Sequence, residues 1–203
     1  MNTTPSTCSY SMHKETSLLY WKLLDTEAGS VLDLGSGMGG FGLAKPKDVK
    51  LYGVERDSAI SVKSQGYEKI VTMEIGKEKL PFEDGKFSAI IARDILEHLE
   101  HPWLVVDELY RVMQSGGVLV CSVPKPDPKI VWSDYTHTRG FTSGALRSLV
   151  ENSGFEVSDI FLMSGYTIAA KLGISKYLPL IGRIPILRNL FCSYHCIARK
   201  PLS

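Results

Sequence analysis

Cysteine is scarce in this chain. Its four residues, Cys8, Cys121, Cys192 and Cys196, form no C-x-x-C pair and have no histidine neighbours at zinc-finger spacing. A disulfide framework and a structural zinc are therefore excluded as organising devices, no metal is expected, and reduced intracellular thiols fit best. Long apolar runs are also missing: the longest charge-free apolar stretch, Ile160 to Ala170, is too short to span a bilayer. The opening MNTTPSTCSYSMHKET lacks the charged-then-apolar layout of a signal peptide, so the expected location is the cytoplasm. No repeat of 20 to 50 residues and no low-complexity tract occurs, which removes solenoids and arrays.

Acidic residues are absent after Asp159, whereas Lys171, Lys176, Arg183, Arg188, Arg199 and Lys200 fall in that last quarter. The near-neutral total of +1 thus hides a basic tail on an acidic body. Such asymmetry points to a negatively charged partner near the C-terminal quarter. That tail is rich in aliphatics and poor in stacking aromatics, so nucleic acid is not the expected partner.

What the chain does have is an ordinary globular composition, 44% hydrophobic and 22% charged over 203 residues, enough for one core and one domain, 1–203. Short β-rich runs occur at 31–34, 50–54, 69–73, 87–92 and 118–123, with helical patterns between most of them. Buried strands linked by crossover helices predict a parallel sheet. Pro102 suits a first helical turn, with Val105, Leu109 and Val112 on one face and Gly116-Gly117 as the expected stop. Thr142 is the expected cap of a helix through Leu146, Leu149 and Val150 to Gly154. Leu18, Leu19, Trp21, Leu23 and Leu24 predict an N-terminal helical cap within 1–28.

The segment VLDLGSGMGGFGLA (31–44) reads as a strand entering a glycine cluster and then a helix. Gly35-x-Gly37-x-x-Gly40 matches the dinucleotide pattern, which alone is a weak signal. Two acids sharpen it. Asp33 stands where a pyrophosphate gains nothing from a carboxylate but an ammonium group would. Glu55 ends the second strand about 20 residues on, where a carboxylate can accept both ribose hydroxyls. A nucleoside with a cationic, amino-acid-like tail fits this pair better than a dinucleotide, which disfavours a nicotinamide-dependent oxidoreductase.

From residue 29 to 124, and more loosely to about 163, the sequence resembles the class I S-adenosylmethionine-dependent methyltransferases, especially the small-molecule group. The likeness is carried by VLDLGSGMGG, Glu55, LPFEDGKFSAII (80–91), DILEHLEHP (94–102) and ELYRVMQSGGVLVCSVP (108–124), in that order. It implies a doubly wound α/β fold with a seven-stranded, mostly parallel sheet and an antiparallel last strand. It also implies S-adenosylmethionine as cofactor, with Asp33, Gly35, Ser36 and Gly37 lining it and Glu55, followed by Arg56, at the ribose. The family's usual acid after the third strand falls nearest Glu74, with Ile75 or Gly76 as alternative occupants. Ser88 stands where the family commonly has Asp. Arg93 and Asp94 sit where they can touch cofactor or acceptor, and Glu97 and His98 follow at the mouth of the cleft, as helix packing or as chemistry.

Methyl transfer from a sulfonium is an in-line displacement, so catalysis is mostly placement, and a base is needed only if the acceptor must lose a proton. Candidate bases cluster in WSDYTHTRGFT (132–142). His137 is the first choice, oriented by Asp134 or Tyr135, against the alternative that it only bonds a loop carbonyl. Between the strand-like 156–163 and 193–199, residues 166–191 mix Leu, Ile and Phe with Lys176, Arg183 and Arg188. They predict a C-terminal helical insertion: a lid or homodimer contact, or a segment resting on anionic lipid. The expected activity is methyl transfer to a small-molecule, glycan or lipid-linked acceptor, at oxygen, with a non-catalytic cofactor-binding protein as the rival.

Overall fold

In the computed structural model, residues 14–61, 66–163 and 192–202 are described. The expected insertion at 166–191 and residues 1–13 of the expected cap lie outside them. Seven strands form one sheet in the order β3-β2-β1-β4-β5-β7-β6: β1 Ala28–Leu34, β2 Asp48–Glu55, β3 Lys69–Thr72, β4 Phe87–Arg93, β5 Met113–Pro124, β6 Glu156–Met163 and β7 Ser193–Arg199. Strands β1 to β5 pair in parallel, and β7 runs antiparallel between β5 and β6. The doubly wound sheet is the expected one. Its strand order reverses between β1 and β4, and open α/β sheets bind ligands in the crevice at that switch point, beyond the carboxyl ends of the strands.

Period-two alternation sends the two faces of each strand into two cores. Leu32, Leu34, Ile90, Ala92, Leu119 and Cys121 pack with Val105, Leu109 and Val112 of α3 (Pro102–Val112) and Leu146 and Val150 of α5 (Ser143–Asn152). On the other face, Val31, Val49, Leu51, Ala89, Ile91 and Val120 pack with Leu19, Tyr20, Trp21 and Leu24 of α1 (Lys14–Leu24). Leu24 is fully buried, and removing such a side chain from water contributes about 1.5–3 kcal/mol. The expected caps are present: Pro102 opens α3, and Thr142 Oγ1 accepts from Ala145 N at 3.1 Å to start α5.

Two local expectations fail. The glycine cluster does not run into an α-helix but into a single 3-10 turn, Gly40–Ala44. Few residues separate Gly39 from β2, and they include Gly42 and Pro46, which disfavour helix continuation. Helix α1 packs against this turn. Trp21 stacks on Phe41 with centroids 4.2 Å apart, and Ser17 Oγ and Trp21 Nε1 both donate to Phe41 O at 2.6 and 3.1 Å.

The second correction concerns Gly116-Gly117. Helix α3 stops at Val112 and β5 begins at Met113, so the glycines lie inside the strand rather than at the helix end. The pairing of β5 with β4 jumps from Phe87↔Met113 to Ala89↔Val118, a bulge with Gly116 at φ +77°. Their function is to kink the strand, not to end the helix. Among the described residues, no helix is long and apolar enough to cross a membrane. The four-residue helices α2 (Ser58–Ser61) and α4 (Pro128–Val131) border the crevice segments described next.

Candidate active site

The glycine loop is held from below by the neighbouring strand. Gly35 N and Ser36 N both donate to Val54 O, at 2.9 and 3.0 Å, and Gly39 N returns to Ser36 O at 2.9 Å. Gly37 has φ +49°, and a Cβ built on it would meet nothing within 4 Å, so this backbone faces open space that a ligand can approach closely. At Gly35, by contrast, a Cβ would stand 3.0 Å from Ile95 Cδ1, which puts the segment after β4 against the loop. Ser36 keeps its place in the loop, but its side chain faces inward. Its buried Oγ turns toward β2, 3.0 Å from where a Cβ on Gly53 would be, and has no hydrogen-bond partner.

Glu55 closes the loop from the end of β2. Its Oε2 accepts from Gly37 N at 2.8 Å, and its Oε1 accepts from Arg56 N and Asp57 N at 2.9 and 3.1 Å. A carboxylate offers about four acceptor sites, so capacity remains for a ligand hydroxyl. Beyond it, Arg56, Asp57, Ser58, Met73 and Glu74 line an open cleft of about 540 Å³ at the carboxyl ends of β2 and β3. Arg56 and Glu74 thus lie with Glu55 on one side of the glycine loop.

Asp33 shares with Val31 the sheet face covered by α1 and is nearly fully buried. Burial pushes its carboxyl up to about 6, against the opposing pull of the Tyr67 hydroxyl and the Arg93 charge, with the Glu55 charge adding to the rise. Tyr67 Oη donates to Asp33 Oδ2 at 2.5 Å. Tyr67 was not among the expected site residues, because nothing in the linear sequence links it to a carboxylate 34 positions earlier. A buried, partly proton-holding carboxyl beside a glycine loop suits an ammonium ligand, since a cation arriving there pays back the cost of ionisation.

On the other side of the switch point, Asp94 takes φ +50° and is tied to β5: Ser122 Oγ donates to its Oδ1 at 2.8 Å, and its own N–H donates to Ser122 O at 3.0 Å. It then leads into the 3-10 turn Leu96–His98. Glu97 in that turn is 1% exposed and neither carboxylate oxygen has a hydrogen-bond partner. Burial, with the Asp94 and Asp134 charges adding, pushes its carboxyl up to about 9. The 132–142 segment docks on the same turn, Thr138 N and Oγ1 both donating to Glu97 O at 2.8 and 3.0 Å.

His137 is oriented differently from expectation. Its Nδ1 bonds Val131 O, not Asp134 or Tyr135. Asp134 is occupied by Thr136, whose Oγ1 donates to it at 2.6 Å, and Tyr135 projects into solvent, 78% exposed. A carbonyl can only accept, so Nδ1 carries a hydrogen, and in the neutral ring the lone pair is on Nε2. That Nε2 lies 3.9 Å from Glu97 Oε1, and the His137 ring meets the His98 ring edge-on at 4.6 Å between centroids. The loop-carbonyl bond and a chemical role are therefore compatible, each using its own nitrogen. Glu97 and His98 stand in the sequence as separate candidates, and only the tertiary contact joins them to His137.

Glycines open to a ligand, a carboxylate at the end of β2, a buried acid beneath the loop and a polar cluster across the switch point define a candidate cofactor crevice on a doubly wound sheet. Residues 11–160 match the family described as "Methyltransferase domain". The chain belongs to that family and, with this sheet order, to the class I S-adenosylmethionine-dependent methyltransferases. A protein of Mycolicibacterium smegmatis carrying the name "Probable S-adenosylmethionine-dependent methyltransferase" is 29% identical over 153 residues, which cover 70% of this chain and 58% of that one. The chain spans about half the length of the curated relatives it matches. In fold it is similar to an S-adenosylmethionine-dependent methyltransferase from Archaeoglobus fulgidus, at a TM-score of 0.69, 20% identity and 92% coverage of both chains. It is equally similar in fold, at 0.69 and 18% identity, to the [4+2]-cyclase SpnF, covering 94% of this chain and 82% of that one. The fold alone therefore does not choose the reaction.

The residues present fit S-adenosylmethionine. Gly37 leaves the space a Cβ would take, Glu55 stands ready for ribose hydroxyls, and Asp33 offers a carboxylate to an amino group.

Proposed function

We propose that this chain transfers the methyl group of S-adenosylmethionine to a hydroxyl oxygen of a small-molecule, glycan or lipid-linked acceptor. The cofactor supplies an electrophilic methyl on a good leaving group, so this chain's residues have three tasks: hold, align and deprotonate. Asp33 binds the amino group, Glu55 the ribose, with Gly35 and Gly37 admitting the ligand to the backbone and Arg56 and Glu74 bordering the nucleoside end. Asp94 and the turn after it meet the acceptor.

The observation that carries the oxygen assignment is the placement of His137, whose ring is fixed by the Nδ1 bond to Val131 O so that Nε2 is the nitrogen left for an acceptor's proton. A hydroxyl needs to lose a proton, whereas a carboxylate or neutral amine does not. With S-adenosylmethionine bound, His137 Nε2 would take the hydroxyl proton as the cofactor supplied its methyl to the oxygen, the C–S electron pair going to sulfur. Transfer of isotope-labelled methyl into a panel of hydroxyl-bearing small molecules, glycans and extracted lipids tests this. His137→Ala should lower turnover on the true acceptor by about 100-fold or more with cofactor affinity nearly unchanged. Unchanged turnover would return His137 to a structural role.

The basic, aliphatic stretch 166–191 supports a further part of this reading, contact with anionic or lipid-linked acceptors. Binding to anionic vesicles should exceed binding to neutral ones, fade with salt, and drop in Arg183→Glu and Arg188→Glu. Equal, salt-independent partitioning of all samples would remove the lipid arm.

A further inference from the structure

One group of side chains is unexplained by cofactor binding. Glu97 is buried with both carboxylate oxygens unpartnered, in a fold where buried polar groups are nearly always satisfied. An acid left in that state is expensive to the fold, so a missing partner is the first explanation to consider.

The partner's chemistry follows from the two imidazoles beside it. Thr136 has one hydroxyl hydrogen, and it is committed to Asp134, whose carboxylate can only accept. Thr136 Oγ1 must therefore accept from His98 Nδ1, 3.0 Å away, so in the neutral ring the lone pair is on His98 Nε2. His137 reaches the same state through Val131 O. In their neutral forms both histidines would therefore keep Nε2 as the bare nitrogen, each with a far-side acceptor fixing the ring. This is the support that metal-ligating histidines normally have. Glu97, His98 and His137 each bring one ligand atom within 4.8 Å of the others. The 3.9 Å from Glu97 Oε1 to His137 Nε2 is no more than two metal–ligand bonds of about 2.0–2.2 Å, so one ion can touch both.

We propose that Glu97, His98 and His137 form a binding site for one divalent first-row transition-metal ion. Two imidazoles and one carboxylate suit such an ion better than magnesium or calcium, which prefer all-oxygen shells. Three protein ligands leave coordination positions for a substrate, as in catalytic rather than structural sites. The site is assembled in advance: the Thr138 bonds to Glu97 O lock the loop carrying His137 to the turn carrying the other two ligands. Sequence spacing conceals it, since His137 is distant in the chain and no cysteine takes part.

The role of the ion rests on the O-methylation reading. A hydroxyl coordinated to the ion would be made more acidic, as metal-bound water is, so that its proton would pass to water and its oxygen would take the methyl, the C–S electron pair going to sulfur. With the ion bound, the His137 lone pair is a ligand and the ion replaces it as the means of activating the hydroxyl. Without the ion, the lone pair is free to take the proton itself.

Cobalt(II) is the probe, because its visible bands report coordination by nitrogen and oxygen. Tag-free protein is stripped with a chelator, titrated with Co²⁺ by absorbance and calorimetry, and compared with Glu97→Gln and His98→Gln. One ion per chain is expected, with affinity at least tenfold lower in each variant. S-adenosylhomocysteine affinity should stay within about threefold in all three proteins, which reports that they are folded and that the cofactor side is intact. Absence of stoichiometric Co²⁺ binding in wild type that still binds S-adenosylhomocysteine overturns the metal site and leaves the His137 base reading standing. So do equal affinities in wild type and both variants. Stoichiometric Co²⁺ binding that depends on these residues, in a protein that methylates no hydroxyl acceptor, upholds the site and overturns the oxygen assignment instead.

Discussion

Tyr67 donates its phenolic hydrogen to Asp33 at 2.5 Å, so the acid under the glycine loop is held by a residue from just before β3. The pair explains how a buried carboxyl persists beside the cofactor crevice. Tyr67 recovers part of the cost, and the remainder stays as a carboxyl raised to about 6.

A stability consequence follows for Asp33→Asn. An acid whose folded pKa lies above its unfolded value of 3.8 binds its proton more tightly when folded, so stability falls as pH rises from about 4 to about 6 and stays reduced above that. Removing the ionisable group should stabilise the free protein at pH 7.5 by on the order of 1–3 kcal/mol. The gain should vanish near pH 4. Affinity for S-adenosylhomocysteine should fall by ten- to a hundredfold at the same time, a trade of function for stability. Urea unfolding at the two pH values and calorimetry check both halves; a variant less stable than wild type at pH 7.5 contradicts the assignment.

Glu55 accepts from three backbone N–H groups, one of them Gly37. Glutamine is a poor substitute, since its NH₂ group would confront an N–H donor. Glu55→Gln and Glu55→Ala should each weaken S-adenosylhomocysteine binding by about 1.5–3 kcal/mol, the range for charge-assisted bonds. Glu55→Gln should also speed amide exchange at Gly37, which hydrogen-exchange mass spectrometry or NMR would read. Wild-type affinity in both variants would take Glu55 out of the ribose site.

Arg111 governs stability away from the crevice. Its guanidinium donates to Phe82 O, Leu80 O, Asp84 and both oxygens of Glu108, clamping the LPFEDGKF segment to α3. The same bonds hold the Glu108 carboxyl below its usual range, with the Arg111 bond as the largest cause. Lysine cannot reproduce this planar fork. Arg111→Ala should destabilise by about 2 kcal/mol, about 4–8 °C in Tm at this size, and Arg111→Lys should recover little of it. Full rescue by lysine would show that charge alone suffices there.

The strands were legible because buried parallel strands write themselves as short apolar runs, and the caps at Pro102 and Thr142 because each follows from one residue's chemistry. The glycine loop after β1 and the position of Glu55 at the end of β2 were legible, since the apolar runs mark where those strands end, whereas the occupant of the position after β3 stayed open among Glu74, Ile75 and Gly76. The 3-10 turn after Gly39 and the bulge at Gly116 were not. Both depend on how much space α1 and β4 leave, which pairwise sequence patterns do not encode. Tyr67 beside Asp33, and Glu97 and His98 beside His137, were invisible for the same reason: their partners are brought together by the sheet. His137 was singled out in the sequence, and the group that orients it is a backbone carbonyl, which carries no side-chain signature.

Calorimetric titration of the purified chain with S-adenosylhomocysteine and, separately, with NAD is the most direct test of the cofactor crevice. The geometry of Asp33, Gly37 and Glu55 predicts one saturable site for S-adenosylhomocysteine, weakened in Glu55→Ala, and no detectable heat from NAD. Saturable NAD binding with no response to S-adenosylhomocysteine or S-adenosylmethionine would contradict it.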